Sequence, residues 1–256
     1  MERLTYGSYL HVPELLSLQR PLSSPPHHDE MLFIIIHQVY ELWFKQLLHE
    51  LEAVLKSLSE DQLLKTAREF GRIHTIQRLI EAQVDILETM TPQEFNAFRD
   101  NLRPASGFQS VQFREIEFLG GLKQTDALKH LEASPEDHER LERRLNSATL
   151  PDRVYDLLKR RGFAVDTHDE RIASLRKIYE ESDKHYDLYV LMENLIEFDE
   201  RFLLWRSRHV RMVERMIGSK TGTGGSLGIA YLATTLDRKF FPELWEVRTY
   251  LGKGTY

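Results

Sequence analysis

Apolar residues recur at helical spacing along most of the chain. In "DEMLFIIIHQVYELWFKQLLHEL" (Asp29 to Leu51), Met31, Phe33, Ile36, Tyr40, Phe44, Leu47 and Leu51 form one apolar face. The pattern predicts a long helix that starts at Asp29 and Glu30, where carboxylates suit the helix dipole, and runs to about Leu58. Upstream, "HVPELLSLQ" predicts a short helix, and Pro25-Pro26 end the connection after it. A second long helix follows in "SEDQLLKTAREFGRIHTIQRLIEAQVDILETM", with Ser59 as its expected N-cap. "TPQEFNAFRDNL" restarts after Met90, with Thr91 capping and Pro92 in the first helical position. "PASGFQ" reads as a loop, and "SVQFREIEFLGGL" as another amphipathic helix. Residues 124 to 168 are charged and predict two or three short helices without recognisable chemistry. From about Asp169 to Ile217 the periodicity predicts one exceptionally long helix, which stops at "GSKTGTGGSLG", five glycines from Gly218 to Gly228. No convincing strand, repeat or low-complexity tract appears. The expected fold is an all-α bundle of long helices, one domain over residues 1–256.

Composition narrows the chemistry. The 41% hydrophobic and 29% charged content is ordinary for a globular chain, and a net charge of −6 gives no reason to expect nucleic acid or an anionic membrane as partner. There are no cysteines, which excludes disulfides, thiolate ligands, iron–sulfur clusters and cysteine nucleophiles, and fits a reducing cytoplasm. No signal peptide is read at the N-terminus, and no run approaches the ~18 apolar residues of a membrane span.

Two histidines interrupt apolar faces. His37 lies on the first long stripe, and His209 on a stripe of Leu195, Phe198, Phe202, Trp205, Val213 and Met216. Either ring alone reads as a core histidine, but His209 framed by aromatics is also what a buried haem iron takes as its proximal ligand. Arg201, Arg206, Arg208, Arg211 and Arg215 share that segment. Spread around the helix, they suit solvated positions and ion pairs within the bundle better than a nucleic-acid stripe, and some could meet haem propionates. "TGTGGSLG" departs from a dinucleotide loop, since Leu227 takes the third glycine's place and no strand precedes it. A mobile flap at Gly222 to Gly225, carrying the Thr223 hydroxyl, or a plain loop fits better. "HHDE" (His27 to Glu30) contains the His-x-Asp of a facial iron triad, though a helix start explains it. For Arg99, flanked by Phe95, Phe98 and Leu102, spacing alone favours a surface position over a fork for a carboxylate.

Together, "LTYGSYL", "HHDEMLFIIIHQVYELWFK", "LETMTPQEFNAFRDNLRPASGFQSVQFREIEFLG", "LWRSRHVRMVERMIGSKTGTGGSLG" and "FFPELWEVR" resemble the tryptophan 2,3-dioxygenase family. These stretches cover most of residues 4 to 121 and about 195 to 248, in order; residues 124 to 190 match poorly. The resemblance implies an all-α homotetramer with haem b between helices and O2 as co-substrate. It implies His209 as the iron ligand, with Ser106 and Gly107 near the haem edge. On the substrate side it implies His37 as the catalytic residue that hydrogen-bonds the indole N–H, and Phe33 as a pocket wall. Arg99 becomes the fork for the L-tryptophan carboxylate and Thr223 the flap hydroxyl at the amino-acid end. Tyr6, Tyr9 and Leu10 belong to an N-terminal segment, residues 1–20, expected to reach a neighbouring subunit's pocket. Phe95 stands where some bacterial members have tyrosine, so an aromatic wall stays but a hydroxyl is lost.

The implied reaction inserts both atoms of O2 across the indole C2–C3 bond, giving N-formyl-L-kynurenine, the first step of the kynurenine pathway, in the cytoplasm. Three alternatives stay open from sequence: an oxygenase for a substituted tryptophan, a non-catalytic haem sensor or carrier, and a basic-helix nucleic-acid binder.

Overall fold

The two histidine-bearing stripes become the two longest helices. A computed structural model of the chain describes residues 3–125, 134–223 and 228–252. Short helices α1 (Tyr6–Leu10) and α2 (Val12–Leu15) lead into α3 (His28–Ser59), then α4 (Leu63–Leu87), α5 (Pro92–Arg99) and α6 (Val111–Leu119). After these come α7 (Pro135–Asn146), α8 (Leu150–Arg160), α9 (His168–Glu180), α10 (Tyr186–Ile217), α11 (Ile229–Ala233) and α12 (Pro242–Glu246). All regular elements among the described residues are helical, so the all-α expectation holds there. Helix α4 packs along both α3 and α10. Leu47, Leu51 and Val54 of α3 meet Phe70, Ile73 and Val84 of α4 and Leu195, Phe198 and Phe202 of α10 in one buried core. Each such side chain contributes roughly 1.5–3 kcal/mol by leaving water, and this burial holds the bundle.

Three boundaries differ from the sequence pattern, each for a local reason. Met31 is 39% exposed and shares the outer face of α3 with Ile35. At about 100° per residue, Met31 is only about 40° from Ile35 but some 200° from Phe33. Ser59 ends α3, its hydroxyl donating to the Lys56 carbonyl at 2.7 Å, and does not cap α4. The turn is set by Asp61, in the left-handed region at φ 57, whose carboxylate takes a two-pronged bond from Arg161 at 2.6 and 2.6 Å. The predicted helix from Asp169 to Ile217 is two, α9 and α10, separated at residues 181–185. "ESDKH" offers nothing apolar to bury, and serine and aspartate favour the turn made there.

The C-terminal "FFPELWEVR" is tied to α10 by Glu193, which takes Arg248 at 2.8 Å, and above all by Asp199. Asp199, fully buried, accepts from the Phe240 and Phe241 amides and from Trp245 Nε1, each at 3.0 Å. Burial raises its pKa against those three donors. Among the described residues no helix is long and apolar enough to cross a membrane.

Phe240 stacks on Phe198 at 5.4 Å and lies against Gly120, where an added Cβ would overlap the ring. Gly120 has an ordinary helical φ of −70°, so only packing demands glycine there. Gly120→Ala is expected to lower stability by about 1–3 kcal/mol, the usual effect of overpacking. A denaturant midpoint equal to that of the wild type would contradict this packing.

Candidate active site

α3, α10, the end of α4, α5 and residues 106–114 enclose a cavity of about 290 Å³, bordered by Gly222, Thr223, Gly228, Leu232 and Thr235. The bundle places His37 and His209 on its wall from different helices. Along α10, Leu195, Phe198 and Phe202 are buried in core, whereas Trp205, His209 and Val213 are half-buried because they face this space.

Both imidazoles are held uncharged. Burial pushes His209 down to about 4, and the nearby His37 lowers it further. Burial also lowers His37, opposed by its bond to the Phe33 carbonyl and by the charge of Glu41. His37 Nδ1 lies 2.7 Å from the Phe33 carbonyl oxygen. A carbonyl can only accept, so Nδ1 carries the hydrogen and Nε2 keeps the lone pair. Phe33, one turn away, stands 4.1 Å from the His37 ring and 5.7 Å from Phe95.

The α5 cap fixes the next part of the wall. The Thr91 hydroxyl accepts from the Glu94 amide at 3.3 Å, and the Glu94 carboxylate accepts from the Thr91 amide at 2.7 Å, with Pro92 at the first turn. That register presents Phe95 and Arg99 to the cavity. Arg99 is buried, which corrects the surface position favoured by spacing alone. Its Nη2 donates to the Thr221 carbonyl, and the Thr223 hydroxyl donates to the Ala105 carbonyl at 2.6 Å. Gly218 ends α10 at φ 59, and Gly228 turns back at φ 58, where a Cβ would stand 2.6 Å from the Lys220 carbonyl oxygen. Gly224 and Gly225 of the expected flap lie outside the described residues.

The cavity's donors suit a haem. His209 offers an imidazole that burial keeps neutral, and Trp205 stacks on it at 5.5 Å and 17°. Gly107 lines the cavity, and a Cβ there would meet no protein atom within 4 Å, so its bare backbone leaves room in the wall. Ser106 caps the turn Gly107–Gln109 through the Phe108 amide at 3.4 Å. One neutral nitrogen ligand in an aromatic, apolar cavity fits an axially held haem. The five arginines of α10 are paired: Arg201 with Glu197, Arg206 with Glu117, Arg208 with Asp85, Arg211 with Glu214, and Arg215 with Glu88.

Some expected residues lie elsewhere. Tyr6, Tyr9 and Leu10 are 79%, 69% and 44% exposed on α1 and do not line this chain's cavity. Among the described residues no three histidine or carboxylate side chains converge as a metal site, so "HHDE" forms no triad there. The cavity wall also carries Arg206, one of the arginines noted in the sequence, and Glu41, Arg114 and Glu117, which the sequence pattern did not single out. Arg114 and Glu117, spaced i and i+3, look like an exposed helix pair; their burial was the missing signal.

Comparison with known proteins adds a family. A family model described as tryptophan 2,3-dioxygenase matches residues 1–162 and 137–251. The tryptophan 2,3-dioxygenase of a Nocardioides species is 49% identical over 254 residues, covering 97% of this chain and 95% of that protein. That of Herpetosiphon aurantiacus is 49% identical over 263 residues, covering 98% and 99%. That of Myxococcus xanthus is 45% identical over 262 residues, covering 97% and 90%.

A buried carboxylate sets how α3 enters the site. Glu30, 1% exposed, accepts from the Leu22 amide at 2.6 Å, the Ser23 amide at 3.1 Å and the Ser23 hydroxyl. Burial works against its ionised form, but these donors outweigh it and hold the carboxyl below its ordinary 4.5. Its stabilising effect is therefore present above that ordinary value and is lost as pH falls through the lowered one. Wild type should exceed Glu30→Gln in stability at neutral pH, and the gap should close as the solution is acidified through the lowered pKa. A gap that stays constant throughout acid titration would contradict this role.

Proposed function

The chain belongs to the tryptophan 2,3-dioxygenase family, and we propose on that footing which of its residues carry the reaction. It is an oxidoreductase that inserts both atoms of O2 across the indole C2–C3 bond of L-tryptophan, giving N-formyl-L-kynurenine at the head of the kynurenine pathway. The observation that carries the assignment of roles is that two uncharged imidazoles, from α3 and α10, line one cavity beside a buried guanidinium.

His209 would hold a haem b through its neutral nitrogen, with Trp205 stacked behind the ring and Ser106 and Gly107 along the wall. When bound, the haem supplies the iron at which the co-substrate O2 is activated. The chain's own residues bind and orient the amino acid. His37 Nε2, left as an acceptor by the Nδ1 bond to Phe33, takes the indole N–H. Its lowered pKa makes it a weak base, which suits holding that proton in a hydrogen bond rather than removing it. Phe33 and Phe95 flank the ring and exclude water. Arg99 turns its fork from the Thr221 carbonyl to the substrate carboxylate, and Thr223 turns from the Ala105 carbonyl to the amino-acid end.

The assembly we propose is a cytoplasmic homotetramer in which residues 1–20 reach a neighbouring subunit. Its support is the apolar surface of that segment, with Leu4 74%, Tyr6 79% and Leu16 69% exposed.

Two variants separate the cofactor from the substrate role. His209→Ala should lose the haem absorption band, and undiminished haem content would remove His209 as ligand. Arg99→Lys should keep haem while tryptophan binding weakens by roughly 1.5–3 kcal/mol, since charge stays but the planar fork goes. Unaltered affinity in that variant would contradict the fork.

A further inference from the structure

Arg114 is, beside Arg99, a second buried guanidinium on the cavity wall with one hydrogen bond from its side chain among the described residues. It is 8% exposed, lines the cavity, and its Nη1 donates to Glu117. That is the one side-chain hydrogen bond of this guanidinium among the described residues, out of five N–H donors. Burying the rest without acceptors is unfavourable, so whatever fills the cavity is expected to supply oxygen.

The neighbours decide which oxygen. Glu117 bridges Arg114 and Arg206, whose Nη2 stands 3.2 Å from its carboxylate, while Arg206 Nη1 donates to the Arg238 carbonyl at 2.6 Å. Arg206 thereby has an acceptor at each terminal nitrogen, and Glu117 fixes the Arg114 fork. Arg206 precedes His209 by three residues, so this cluster sits one turn from the proposed iron ligand. Glu41, the other carboxylate on the wall, already accepts from Gln112 at 2.8 Å. Arg99, with Thr223 beside it, is instead at the flap.

We propose that Arg114 is a second carboxylate-binding point of the cavity, and that it takes a carboxylate side arm of the macrocycle held by His209, not the carboxylate of the amino acid. The inference rests on the haem reading above. It divides two anions between two buried forks: Arg99 for the substrate and Arg114 for the cofactor, with Glu117 and Arg206 positioning Arg114.

The test loads wild type, Arg114→Met and Arg114→Lys with iron protoporphyrin IX or with its dimethyl ester, whose side arms carry no charge. Transfer to excess apomyoglobin gives the rate of release. Arg114→Met should release the free acid about tenfold faster than wild type, the scale of one charged hydrogen bond, and Arg114→Lys by less. With the diester, wild type and Arg114→Met should release at the same rate. Tryptophan affinity of the loaded Arg114→Met protein should match wild type. Equal release of the free acid would overturn the proposal, and so would equal acceleration with both porphyrins, which marks a packing role. Weakened tryptophan binding with unchanged release would assign the fork to the substrate instead. A wild type that takes up neither porphyrin sinks the haem reading itself, and this proposal with it.

Discussion

The site depends on keeping two imidazoles uncharged and facing one cavity inside an apolar bundle. A protonated ring there would be a buried charge without a partner, so burial itself selects the neutral form in both. Neutrality gives each ring a lone pair, and the backbone decides where the one on His37 points, because the Phe33 carbonyl claims Nδ1. Helix α4, packed along both α3 and α10, keeps the helices that carry the rings in register. The stack of Trp205 on His209 and the cluster of Phe33, Phe95 and Phe98 brace the walls.

Charge is admitted to this interior only where hydrogen bonds hold it. Asp199 faces three donors, Glu117 joins two guanidiniums, and Glu30 gathers the turn before α3. Arg99 and Thr223 rest on backbone carbonyls of neighbouring loops. Each of these two side chains therefore has a backbone acceptor within this chain, and in the proposed reading a bound amino acid takes that acceptor's place.

The sequence made the bundle and both histidines legible because helical periodicity records which face is buried. Thr91 followed by Pro92 likewise showed where the helix bearing Arg99 begins. Periodicity does not record what interrupts a helix without changing its pattern. The break at residues 181–185 and the turn at Asp61 depend on a polar stretch and on an ion pair with Arg161, some 100 residues away. Nor does it separate an exposed ion pair from a buried one, and that kept Arg114 and Glu117 out of view. Arg99 emerged from family resemblance and from burial, not from spacing.

In the proposed reading everything at the substrate side turns on His37 as a neutral acceptor for the indole N–H. The most direct measurement compares turnover of L-tryptophan and 1-methyl-tryptophan, which has no N–H to donate, by wild type and His37→Ala at equal haem content. The variant should keep its haem, lose turnover of tryptophan and gain preference for the methylated substrate, since room is made and a polar partner removed. Full activity with unchanged preference would contradict it and return His37 to the bundle's core.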